Sequence, residues 1–235
     1  MVKKNREINL KNIRAVCFKE GMDDCLFRKL SYYLAIPVLH TKLTPTDITW
    51  FWVILGLASA PFFFMGSYWF TLVGTFLLCF GFLLDHLDGG IARFKKQYSD
   101  KGYFLDEIGS YVLIPAFLIA LGFGGYHKTG QFIWVWLGII SICSYYIYQI
   151  MLLLQIKQTK KGITKKNASN EHPGVYGKYQ FLTKILPAHF DQICYILVVL
   201  AIFGVAEWLL AYFAFVYTGM WLGKSAYDYL FGFKN

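Results

Sequence analysis

The stretch Asp85-His86-Leu87-Asp88-Gly89-Gly90-Ile91-Ala92-Arg93, with Gly102, Asp106 and Glu107 close behind it, lies where two long apolar runs meet. The runs extend from about Trp69 to Ala92 and from about Tyr103 to Leu121. Each approaches the roughly 20 mostly apolar residues that cross a bilayer. Ionisable groups at membrane depth are costly and usually mark a site. Asp85 and Asp88 are three residues apart, so on a helix they share one face. Asp106 stands at the start of the next run, and a link of about ten residues makes the two helices antiparallel neighbours. The three carboxylates can therefore converge at one end of the helix pair.

Three hard oxygen ligands in one place repel one another unless a cation neutralises them. The ions that suit carboxylate, water and phosphate oxygens are Mg²⁺ and Mn²⁺. Two such ions can clamp both ends of an in-line displacement at phosphorus. Around the acids, Gly89, Gly90 and Ala92 are small enough to let a helix or a phosphate approach the backbone. Arg93 offers a planar cation to phosphate oxygens, and Gly102 opens the following helix.

Working outward, composition agrees with a membrane protein. Of 235 residues, 57% are hydrophobic and 16% charged, against roughly 25% charged in soluble domains. Six apolar stretches are expected to span: about 48–65, 69–92, 103–121, 132–154, 190–203 and 208–222, the last extending as far as Leu230. Ahead of them, residues 24–40 place Leu26, Leu30, Tyr33 or Leu34, and Pro37 at helical spacing, with Arg28 and Lys29 between. That pattern predicts an amphipathic helix on the membrane surface, serving as an anchor or as a lid.

Charge sets the expected orientation. Of 23 Lys and Arg, nine precede the first span, four lie between the second and third, seven between the fourth and fifth, and two near the C-terminus. Only Lys128 falls in a predicted outer loop. Both termini and the acidic cluster are then cytoplasmic. The polar segment 156–187 carries those seven lysines, Lys160 and Lys161 among them. It is either a solvated loop contacting anionic membrane lipid or a wall for a phosphorylated acceptor. The +9 net charge reads as this membrane asymmetry, because no aromatic–basic interleaving suggests a nucleic-acid partner. Five scattered cysteines, without a C-x-x-C pair, argue against a disulfide framework or structural zinc. The basic, charge-broken N-terminus does not resemble a cleavable signal peptide.

The acidic stretch resembles the signature of the CDP-alcohol phosphotransferase family, D-x2-D-G-x2-A-R-x8-G-x3-D-x3-D. Seven of its eight fixed positions match with correct spacing. The Thr44-Pro45-x-x-Ile48-Thr49 stretch is similar to the family too, although Thr46 stands where Asn is common. The resemblance implies an all-α integral membrane fold with six transmembrane helices. Residues 1–45 would form the basic cytoplasmic segment with its surface helix, and residues 46–235 the catalytic membrane domain. It implies a transferase of phospholipid headgroup synthesis that displaces CMP from a CDP-linked lipid donor, CDP-diacylglycerol being the usual one. A second alcohol or polyol would be the acceptor. Asp85, Asp88 and Asp106 would bind two divalent cations, Mg²⁺ or Mn²⁺. Gly89, Ala92, Arg93, Gly102, Thr44 and Pro45 would hold the nucleotide, and the protein would be a homodimer.

The eighth position departs from the pattern. Ser110 stands where the family has its fourth Asp, the residue assigned to the proton of the attacking hydroxyl. A serine hydroxyl has no useful basicity near neutral pH. The base could instead be Glu107, which points about 100° away around the helix, or His86, His172, His189 or Asp191. A metal-bound hydroxide or a substrate phosphate could also take the proton. Otherwise the chain is an impaired relative that binds CDP-lipid without turnover. An ion-coupled carrier is the alternative from another class, but carriers place their acids near the midplane, within repeats that are not visible here.

Overall fold

The structure, a computed structural model, describes residues 26–97, 99–165 and 190–227. Seven α-helices run through these residues: α1 (Leu26–Leu39), α2 (Pro45–Phe64), α3 (Tyr68–Lys95), α4 (Asp100–Thr129), α5 (Ile133–Lys165), α6 (Phe190–Ile202) and α7 (Trp208–Tyr227). Among the described residues there is no strand. Among the described residues, four helical segments are long and apolar enough to cross a membrane: α2, α3, α4 and the Ile133–Met151 part of α5. They are the first four expected spans. Large apolar side chains such as Trp69, Phe76 and Trp136 are exposed on them, as a lipid-facing surface requires.

The last two expected spans are present as helices but are not among those four. The apolar part of α6, Ile193–Ile202, is short. Helix α7 has 20 residues, but Trp, Tyr, Gly and Lys224 dilute its apolarity.

Two boundaries differ from the sequence reading. Helix α4 continues eight residues past Leu121, through a Gly-rich stretch that would ordinarily stop it. The reason is packing: a Cβ on Gly125 would stand 2.9 Å from the Trp134 side chain, so glycine admits that neighbour. The polar segment after residue 155 is not a loop throughout, since α5 runs on to Lys165. Its straight-chain Lys and Gln residues are good helix formers. The remainder of that segment, with His172, and His189 just beyond it lie outside the described residues.

The chain divides into two compact units, Met1–Ala120 and Leu121–Asn235. In the first, α2 and α3 form the main helix pair, and α1 lies against α3. Ala35, Leu39, Ile48, Leu87 and Ile91 make a buried cluster that fixes α1 to the part of α3 carrying Asp88. Helix α1 has two stripes. Phe27, Ser31, Ala35 and Leu39 face the protein, while Leu26, Leu30 and Tyr33 stay exposed as the expected surface stripe. Helix α4 approaches α2 through Gly109, where a Cβ would stand 2.5 Å from Val53. Farther along, Phe117 meets Phe63 edge to face at 5.0 Å. These contacts bring the first turns of α4 beside α2 and α3.

In the second unit α5 pairs with α7, and α6 touches α7. The Ser141 hydroxyl lies 2.7 Å from the Leu137 carbonyl of its own helix and 3.0 Å from the Leu210 carbonyl of α7, and Ser144 and Thr218 share a hydrogen bond of 2.7 Å. Such small polar contacts tie apolar helices together where hydrophobicity alone gives no preference for a neighbour.

Candidate metal and nucleotide site

The site is built where α2 begins, α3 ends and α4 begins. Helix α2 starts with a capping box: the Thr44 hydroxyl accepts from the Asp47 amide at 3.2 Å, and the Asp47 carboxylate accepts from the Thr44 amide at 2.8 Å. Pro45 follows as a first-turn residue, where its missing N–H costs nothing. The start of α2 is therefore rigid, and it brings Pro45, Thr46 and Thr49 to the site. Helix α3 stops at Lys96, which adopts a left-handed conformation (φ 56°). Lys95 reaches from that end to the Leu43 carbonyl at 2.7 Å and holds the link between α1 and α2. Only residues 96–99 separate α3 from α4, a tighter connection than the ten or so residues expected.

Asp85, Asp88 and Asp106 each offer a carboxylate oxygen, and the three oxygens lie within 4.8 Å of one another. Among the described residues this is the one cluster of acids, histidines or cysteines with metal-holding geometry. Asp88 is buried, with its Oδ2 accepting from the Thr49 hydroxyl at 2.7 Å. Asp106 Oδ1 is buried and has no hydrogen-bond partner. A buried carboxylate oxygen left without a donor is costly, and a cation placed among the acids would satisfy it. The residues therefore fit a Mg²⁺- or Mn²⁺-type ion, by donor chemistry and by this orphaned atom.

Beside the acids is a cavity of about 280 Å³. Of the expected site residues, Pro45, Asp88, Gly89, Ala92, Arg93, Gly102 and Asp106 line it. Thr44 does not, being used as the cap of α2. Gly102 is a necessary small residue there, because a Cβ would stand 2.9 Å from Ser99 Oγ and 3.2 Å from Thr46 Oγ1. Ser99 accepts from the Gly102 amide at 3.0 Å and closes the first turn of α4.

Glu107 takes the Tyr103 hydroxyl at 3.2 Å and is not part of the acidic cluster. Ser110 lies one helical turn beyond Asp106, half-buried. Thr46, Thr49, Gln97, Ser99, Asp100 and Tyr103 also line the cavity and were not among the expected site residues. Thr49 had a signal, as the end of the Thr44–Thr49 stretch. Thr46 lies in the same stretch and was read there as a departure from the family, while Gln97, Ser99, Asp100 and Tyr103 are close to the motif but carry no spacing rule of their own.

Apolar helices long enough to span, with a carboxylate cluster that could hold a cation, are the features of an integral membrane protein. The chain belongs to the CDP-alcohol phosphatidyltransferase family, whose sequence profile matches residues 42–221. By class it is a CDP-alcohol transferase of phospholipid biosynthesis. Solved structures of Mycobacterium tuberculosis phosphatidylinositol phosphate synthase share the fold. The form with CDP-DAG bound superposes with a TM-score of 0.55 at 18% identity, over 83% of this chain and 92% of that one. The complex with manganese and citrate gives 0.52 at 19% identity, over 82% and 87%. The apo form gives 0.51 at 20% identity, over 83% and 95%. No curated protein sequence matches the chain significantly.

Proposed function

We propose that the chain transfers the lipid phosphoryl group of CDP-diacylglycerol to the hydroxyl of a second alcohol, releasing CMP on the cytoplasmic side of the membrane. The observation that carries this reading is the cluster of Asp85, Asp88 and Asp106, two of whose members, Asp88 and Asp106, line a cavity together with Arg93. In the reaction, the acceptor oxygen bonds to the lipid-side phosphorus. The bond from that phosphorus to the bridging oxygen breaks, and CMP leaves with the electron pair. Divalent cations bound by the three aspartates would neutralise the diphosphate and the charge that gathers on the leaving CMP.

The chain's own groups would do the rest. Arg93 faces the phosphates as a planar donor. Gly89 and Ala92 keep one wall low, and Gly102 keeps the other clear for the nucleotide. The complex of the related synthase with CDP-DAG supports the choice of donor, and its manganese complex supports the choice of ion. The cytoplasmic orientation, the six spans, the division at residues 45/46 and the homodimer remain part of this proposal. They are supported by the charge distribution and by the family.

Ser110 is the open point in the reaction. It is no proton acceptor, and Glu107 is engaged by Tyr103. The acceptor's proton goes to another group, a substrate phosphate being available in the site itself. A second reading, CDP-lipid binding without turnover, is favoured by Ser110 alone.

CMP release from CDP-diacylglycerol separates the two. The protein in lipid receives Mg²⁺ or Mn²⁺ and a panel of alcohols, with Ser110→Asp run beside it. Release by the native chain with one alcohol supports the transferase, and Ser110→Asp should then raise the rate by about 10²–10⁴-fold, the usual value of a placed base. Release by Ser110→Asp alone supports the binding-only reading. Release by neither removes the proposal.

A further inference from the structure

We propose that Thr49 is the positioning residue of Asp88: its hydroxyl holds one carboxylate oxygen so that the other is presented to a divalent cation. This inference rests on the metal-site reading above and extends it to a residue outside the aspartate motif.

Thr49 is buried in the second turn of α2. Its Oγ1 stands 2.7 Å from Asp88 Oδ2 and 3.1 Å from the Pro45 carbonyl. The hydroxyl has one hydrogen and two acceptors. A helical threonine ordinarily bonds back to the carbonyl four residues earlier. Here a carboxylate competes for the hydrogen, and hydrogen bonds to charged acceptors are shorter and roughly twice as strong. The shorter distance is the one to Asp88, so the hydrogen goes there.

The consequence is orientation. Leu87 and Ile91, packed in the cluster with Ala35, Leu39 and Ile48, fix the backbone of α3 on both sides of Asp88. Fixing the backbone does not by itself set the rotation of the carboxylate. The Thr49 hydrogen bond to Oδ2 restricts that rotation. With Oδ2 held by Thr49, Oδ1 is the oxygen we assign to the cation in the space Asp88 shares with Asp85 and Asp106. Partners that orient a metal ligand typically contribute about 10–100-fold in metal affinity.

The bland alternative is that Thr49 only satisfies a buried acid and matters for folding. Mn²⁺ binding to the nucleotide-free protein distinguishes the two, with free Mn²⁺ followed by electron paramagnetic resonance and thermal unfolding measured on the same samples. Thr49→Val keeps the shape and removes the donor, and should bind Mn²⁺ about 10–100-fold more weakly. Thr49→Ser restores the donor and should stay within about threefold of the native affinity. Thr49→Ala serves as the second donor-free variant. Native Mn²⁺ affinity in folded Thr49→Val or Thr49→Ala overturns the proposal. So does failure of both to fold while Thr49→Ser folds, since Thr49 is then structural. If the native chain itself binds no Mn²⁺, the metal-site reading falls, and Thr49 with it.

Discussion

Two acidic places in this molecule, one around buried Glu207 and one around buried Asp88, are handled in opposite ways. In the Leu121–Asn235 unit, Glu207 is met by the Lys128 ammonium at 2.5 Å, and the same ammonium caps the Gly204 carbonyl at the end of α6. The charge is cancelled from within the chain. In the other unit, three aspartates share one small space, and Asp106 Oδ1 has no hydrogen-bond donor. The first arrangement ties the α4–α5 turn to the α6–α7 turn. The second leaves its charge to be neutralised by something that binds. An acid paired inside the chain builds structure, and acids facing one another leave a charge that a bound cation could neutralise.

That contrast can be broken most severely at Asp106. Asp106→Asn should weaken Mn²⁺ binding by about 100-fold or more, because it removes a ligand and not merely its support. The same change should not lower the melting temperature in metal-free buffer, because it relieves repulsion among like charges. Thermal unfolding in the presence of EDTA reads this directly. A large loss of metal-free stability would make the cluster structural after all.

Lys128→Met should behave in reverse. Glu207 would be left buried without its cation, a loss of about 2 kcal/mol once the partial exposure of Lys128 is allowed for. The melting temperature should fall while Mn²⁺ affinity stays native. Reduced Mn²⁺ affinity would mean that the pair supports the site and not only the turns.

The smallest effect is expected at Lys96, the non-glycine residue in the left-handed conformation between α3 and α4. Lys96→Gly should stabilise the native state by about 1 kcal/mol, through release of that strain. Unchanged stability would show that the Lys96 side chain compensates for it.

The acidic site was legible because a helix fixes geometry from spacing. Asp85 and Asp88 had to share a face, and a short link had to return Asp106 to them. Thr49 was not legible as their partner, since 39 residues separate it from Asp88 and only packing of α2 on α3 brings the two together. Helix α1 shows the same limit. Its exposed stripe of Leu26, Leu30 and Tyr33 could be read from apolar periodicity. The protein-facing stripe includes Ser31 and Ala35, which carry no such signal. The first four spans were readable from continuous apolarity. The end of α4 was not, because glycines that ordinarily mark a stop serve there as contact points for Trp134.

The most direct measurement is binding of CDP to the purified protein in lipid, with and without Mg²⁺ or Mn²⁺, for the native chain and for Asp88→Asn. The native chain should bind CDP only when the divalent cation is present, and Asp88→Asn should lose that binding. Equal CDP binding by both proteins, unaffected by EDTA, would contradict the assignment of the three aspartates as the centre that holds the donor.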